Sequence, residues 1–162
     1  MAVPAIFKAL QASPVGKTIT ESPWMFPTIE TVHVLAIATV IGAIAVVDLR
    51  LIGVASKDRP ASALTREFLP WTWGAFAVAV TSGALMFTSR AADYMAIPAF
   101  TAKFAIMALA GLNMAVFHLT AERNIGAWDL GRPAIGARAA GVISLVLWSA
   151  VVICGRKVGF SL

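Results

Sequence analysis

Residues 24–51 read WMFPTIETVHVLAIATVIGAIAVVDLRL. Between Glu30 and Asp48 the only ionisable side chain is His33. Uncharged stretches of about 17 to 25 residues are long enough to cross a bilayer core of roughly 30 Å. In lipid only a helix or a closed barrel satisfies its own backbone, and a run this long without period-2 alternation excludes a barrel. Pro27 falls in the first turn, where its missing N–H costs nothing. The stretch therefore predicts a transmembrane helix.

The same pattern recurs three times. Arg66, Glu67 and Arg90 bracket one uncharged span, and Arg138 and Arg156 bracket another. Further helices are predicted over residues 68–87, 100–119 and 139–155, with short connections that make neighbours antiparallel. The expected fold is all-α: an integral membrane four-helix bundle, up-down-up-down, over residues 24–162. Residues 1–23 form a separate N-terminal segment. There Val3, Ile6, Phe7 and Leu10 follow an i, i+3, i+4, i+7 pattern that suggests a short interfacial helix. Ser13, Pro14, Gly16 and Lys17 break that run before a signal-peptide h-region develops.

Composition agrees. Of 162 residues, 59% are hydrophobic and 13% charged, and the mean hydropathy is +0.83. A soluble domain carries about 25% charged residues. The net charge of +5 does not point to nucleic acid, because the basic residues punctuate apolar spans and form no continuous patch. They sit where helix ends meet anionic headgroups. Seven cations (Arg50, Lys57, Arg59, Arg66, Arg123, Arg132, Arg138) lie at the first and third connections. Five (Lys8, Lys17, Arg90, Arg156, Lys157) lie on the other side. The positive-inside rule thus places both termini outside the cytoplasm. Cys154 is the only cysteine, so no intrachain disulfide forms.

Small residues recur at helical spacing, at Ala75, Ala79 and Gly83 and again at Ala108, Gly111 and Ala115. Such stripes drive helix association in lipid, and a homo-oligomer is expected. Trp24, Trp71, Trp73 and Tyr94 near the span ends suit an interfacial aromatic belt.

Ionisable groups at membrane depth mark functional sites by default. His33, Lys103 and His118 are such groups. Counting from span centres at 1.5 Å per residue, His33 and His118 lie roughly 20 Å apart along the membrane normal, a poor axial pair for one haem. At the depth of His33 fall Met86, Lys103 and Cys154, with Met107 one turn deeper. Glu30 shares a helix face with His33 and offers Lys103 an ion-pair partner. Glu30 to His33 also spells E-x-x-H, but a di-iron site needs two copies and more inward glutamates. At the depth of His118, Asp48 is the expected hydrogen-bond partner, with a metal or second haem the alternative.

In order, Glu30-Thr31-Val32-His33-Val34-Leu35 leads through Gly42 to Asp48-Leu49-Arg50-Leu51. The third helix opens Phe100-Thr101-Ala102-Lys103-Phe104 and closes Val116-Phe117-His118, and the fourth ends Gly155-Arg156-Lys157-Val158-Gly159-Phe160. From Trp24 onward this resembles the superfamily of small four-helix membrane proteins that includes HemJ-type protoporphyrinogen oxidases and the CopD copper-resistance domain. It is closer still to an uncharacterised bacterial family sharing the W-x-F-P-x-I-E-x-x-H-V start. The resemblance implies the inner, cytoplasmic membrane of a bacterium. It also implies haem b, with His33 as an axial ligand and Lys103 as second ligand or propionate partner. It does not carry the oxidase activity over.

The resulting expectation is a membrane haem b protein for one-electron transfer, or a redox subunit, working with a quinone or a partner protein in the lipid bilayer. Met86 competes for the second axial position, and His118 is the other histidine able to hold a cofactor or metal. One alternative is copper transport or binding, because the thioethers of Met86 and Met107, the Cys154 thiol and the His33 imidazole suit Cu(I). Another is a non-catalytic membrane scaffold.

Overall fold

The computed structural model describes residues 4–161, all helix and connection with no strand among them. Two short helices, α1 (Ala5–Gln11) and α2 (Pro14–Glu21), precede the long α3 (Met25–Ile52) and α4 (Ala61–Ser89). The short α5 (Ala91–Ala96) leads to α6 (Pro98–Leu119). A single 3₁₀ stretch (Glu122–Ala127) then precedes α7 (Ile135–Phe160). Four of these helices, α3, α4, α6 and α7, are long and apolar enough to cross a membrane.

The spans outrun the apolar segments that announce them. α4 has 29 residues, about 43 Å at 1.5 Å per residue, against a hydrocarbon core of about 30 Å. Its first two turns carry Arg66 and Glu67 and are helical beyond the apolar run. Hydropathy marks the part of a helix that lipid covers, whereas the hydrogen-bond ladder continues through the headgroups. α3 stops where Gly53 takes φ +85°, a left-handed cap that only glycine adopts without strain.

Near the N-terminus the residues that look like helix breakers start a helix. The Ser13 hydroxyl accepts from the Gly16 N–H at 3.2 Å, and Pro14 occupies the first turn, the ordinary chemistry of an N-cap. α2 is pinned to α4: Ile19 is buried and the Thr20 hydroxyl donates to the Ser89 carbonyl at 3.1 Å. A Cβ on Gly16 would stand 2.8 Å from the Thr88 carbonyl oxygen, so only glycine fits. In α1, Phe7 meets Phe87 edge-on at 6.0 Å, while Ile6 and Leu10 stay exposed. Val3 of that pattern lies outside the described residues.

Among the spans, α3 packs against α4 and α7, and α6 packs against α7. α4 and α6 scarcely touch. They are bridged at one end by α5 and an aromatic stack, with Phe87 and Phe100 centroids 5.5 Å apart and Tyr94 and Phe100 5.1 Å apart. Tyr94, expected among interfacial anchors, is instead buried in this stack, and burial pushes its hydroxyl pKa up. Trp24, Trp71 and Trp73 remain exposed.

Helices α3 and α7 cross closely at Gly141, where an added Cβ would stand 3.0 Å from the Asp48 carbonyl oxygen and 3.2 Å from Leu51 Cβ. Across the neighbouring pair, Asn113 donates to the Ala140 carbonyl at 3.0 Å, a polar tie of the kind lipid favours. Gly141→Leu forces α3 and α7 apart and is expected to cost at least about 1–3 kcal/mol. Gly74 has nothing within 4 Å of its added Cβ, so Gly74→Leu is expected to be neutral. Residual folded protein after heating in detergent, read by size exclusion, compares the two.

Candidate functional site

The end of the molecule that carries the aromatic stack gathers the polar residues. His33 faces α4, with its Nδ1 3.0 Å from the Ser82 hydroxyl. Its ring lies on Gly83, where an added Cβ would be 3.0 Å from His33 Cε1. Glycine here makes the flat seat on which the imidazole rests. Ser82 is itself buried, and its hydroxyl donates to the Val78 carbonyl at 2.6 Å.

That chain of bonds assigns the ring protons. A hydroxyl has one hydrogen, and a carbonyl only accepts. Ser82 has spent its hydrogen on Val78, so it accepts from His33 Nδ1–H. The Ala79 carbonyl is a second acceptor within reach of the ring; with Nδ1 as the donor, Nε2 carries the bare lone pair. Donating one ring N–H to a fixed acceptor while freeing the other nitrogen is how a ligating histidine is held.

Lys103 lies along α7, its Cδ 4.0 Å from where a Gly155 Cβ would be. Its amine sits over two rings, 5.4 Å from the Phe100 centroid and 5.6 Å from the Phe104 centroid. Lys103 is within electrostatic reach of His33 and of Cys154. Of the residues expected in one layer, Lys103 is thus near both His33 and Cys154. Met86 is one turn beyond Gly83 and Ser82 on the same face of α4. Glu30 is exposed and forms no ion pair with Lys103. The ion pairs among the described residues are Arg59–Glu67 and His118–Glu122.

His118 belongs to the opposite end. Its neighbour Phe117 packs with Leu51, Ala61, Trp128 and Ala137. From His33 to the level of Leu51 is roughly 25 Å along α3. The expected Asp48 partner is corrected: His118 Nδ1 pairs with Glu122 one turn on, whereas Asp48 turns toward Ser144 of α7 and leaves its Oδ2 unpartnered. The reason is rotational, because Asp48 sits on the face of α3 that Gly141 of α7 covers. Among the described residues no three His, Cys, Asp or Glu gather closely enough to hold a metal ion.

The same end holds a residue whose role the charge pattern concealed. Arg50 is 1% exposed. Its Nε donates to the Arg59 carbonyl at 2.7 Å and its Nη2 to the Asp129 carbonyl at 2.7 Å, so it ties the first and third connections together. The Asp129 carboxylate accepts from the Ser62 N–H at 2.8 Å and from the Ser62 hydroxyl at 2.5 Å. Burial opposes its ionisation, but these bonds and the Arg50 charge outweigh it and hold the carboxyl below its ordinary pKa.

A family model described as a family of unknown function, DUF6644, matches residues 12–161. The chain belongs to that family. No curated protein matches it, nor does any solved structure. Membership in DUF6644 thus carries no activity, and nothing in these comparisons ties the family to HemJ-type or CopD proteins. The match begins at residue 12, so it takes in α2, the helix docked on α4.

Proposed function

We propose that this protein is a membrane haem b protein, an up-down-up-down bundle in the bacterial inner membrane that passes single electrons to or from a quinone or a partner subunit. The observation that carries the reading is the His33–Ser82–Val78 relay, which with Nδ1 as donor leaves the lone pair of His33 Nε2 for a ligand. A haem brings four nitrogens of its own and asks the protein for only one or two axial ligands. A bare ion asks for three or four. Among the described residues no three His, Cys, Asp or Glu side chains gather, which suits a group that brings most of its own ligands. Met86, on the same face as Ser82, is the candidate for the second axial position.

Lys103 has a narrower role in this reading. Its amine lies over the Phe100 and Phe104 rings, a position from which it can meet a propionate. Lys103→Arg keeps the charge and is expected to leave the spectrum unchanged. Lys103→Met is expected to lower haem retention. A shifted Soret band in Lys103→Arg would instead put the lysine on the iron.

The test is a visible spectrum of the protein purified in mild detergent from haem-supplemented cells, oxidised and dithionite-reduced. A Soret band that shifts on reduction, retained in His118→Ala, is the expected result. A colourless wild-type preparation ends the proposal. The homo-oligomer forms part of the same reading, because Ala108, Gly111 and Ala115 line an exposed face of α6 with nothing against Gly111.

A further inference from the structure

At the end of the molecule opposite His33, a cavity of about 430 Å³ lies between the end of α3 and the start of α7. Four cations line it, Arg50, Lys57, Arg132 and Arg138, and among the described residues no carboxylate does. Asp129, an acid within electrostatic reach of Arg50, has both carboxylate oxygens held by Ser62. Arg50 spends Nε and one Nη2 hydrogen on backbone carbonyls. Its Nη1 makes no hydrogen bond among the described residues, although the side chain is almost wholly buried. One fixed cation with an unspent donor, ringed by three further cations, is a receptor for an anion, and the planar guanidinium matches phosphate oxygens.

A second feature adjoins the first. An apolar groove of about 400 Å³ shares Ile52 and Arg138 with the cavity and runs on over Ile135, Val142 and Ile143. Those three side chains are 85%, 48% and 47% exposed. The groove follows α7 into the part of the helix long and apolar enough to lie in a membrane. A soluble phosphate compound has no use for such a groove, whereas an acyl chain does.

We propose that cavity and groove together hold one anionic phospholipid, its phosphate among Arg50, Arg132 and Arg138 and an acyl chain along Ile135 and Val142. This places the lipid in the leaflet that the first and third connections face. The site owes nothing to the haem reading and stands or falls apart from it.

Native mass spectrometry of delipidated protein in detergent tests the assignment, using phosphatidylglycerol and phosphatidylcholine at matched concentrations. One phosphatidylglycerol per chain is expected, bound at least about tenfold more tightly than phosphatidylcholine. Arg132 and Arg138 make no side-chain hydrogen bond among the described residues, so Arg132→Gln with Arg138→Gln should fold normally and weaken phosphatidylglycerol roughly 30-fold. Arg66→Gln with Arg123→Gln removes the same charge outside the cavity and should change little. Should the double variant elute as aggregate, Lys57→Gln is read in its place, with about fivefold weakening expected. Equal binding of the two lipids, or equal weakening by both double variants, overturns the site in favour of a general charge effect. Inorganic phosphate that binds alone and displaces phosphatidylglycerol completely at millimolar concentration overturns the lipid assignment in favour of a soluble anion.

Discussion

His33→Ala is expected to purify as a folded, nearly colourless protein. The side chain is half-buried, with Ser82 as its side-chain partner, so its loss leaves the helix crossing in place while removing the Nε2 donor. Ser82→Ala separates ligation from packing. Without the hydroxyl, Nδ1 loses its acceptor and the ring is free to protonate Nε2, the wrong tautomer for an axial ligand. Loss of such an outer partner lowers affinity about 10–100-fold. Haem retention after gel filtration, measured as pyridine haemochrome per chain, should therefore fall in the order wild type, Ser82→Ala, His33→Ala. Helical circular dichroism should stay constant across the three. Full haem content with an unshifted spectrum in His33→Ala would remove His33 from the iron.

Fold and site were unequally legible in the sequence, for identifiable reasons. Apolar runs announce spans because lipid excludes charge, and all four emerged as helices, three of them longer than expected and the first of the expected length. Depth is also countable, so Lys103 lies near His33 and Cys154 as its position in the span implies, and His33 and His118 fall at opposite ends. Facing is not countable. Whether Asp48 looks at His118 or at α7 depends on a rotation of α3 that Gly141 decides by letting α7 approach, and nothing local encodes it. Some signals were present and passed over. His118 and Glu122 stand at i, i+4, an ordinary helix pair, but Glu122 lies just past the apolar run. Ser13-Pro14 reads as a break or as a cap, and the docking of α2 on α4 makes it a cap. Ser82 is small and polar within an apolar span, the sort of residue that satisfies a buried imidazole. Its match to His33 rested on knowing which helices touch. Arg50 was the least legible, because a cation at a helix end looks like every other headgroup anchor until the connections fold over it.

Replacing Arg50 with methionine is expected to cost the protein about 3–5 kcal/mol, the loss of two charge-assisted hydrogen bonds whose acceptors stay behind. Methionine keeps much of the volume, so the loss is not a cavity effect. It removes the donors to Arg59 and Asp129 at 2.7 Å each, and both carbonyls lie where α3, the first connection and the third connection converge. Hydrogen bonds from charged groups contribute roughly 1.5–3 kcal/mol apiece. Ala61, whose N–H also reaches the Asp129 carbonyl at 3.3 Å, and Trp128, packed with Leu51, should loosen with them. Heating in detergent should show an earlier transition, and limited proteolysis should cut within residues 53–60 or 128–134 before the spans unfold. Arg50→Lys is the discriminating variant. A lysine keeps the charge but concentrates its donors on one nitrogen, which does not span two carbonyls on separate connections. It is expected to recover part of the stability and none of the double tie. If Arg50→Met melts with the parent, the two connections are held by packing alone, and the guanidinium is an anchor for phosphate rather than a strut of the fold.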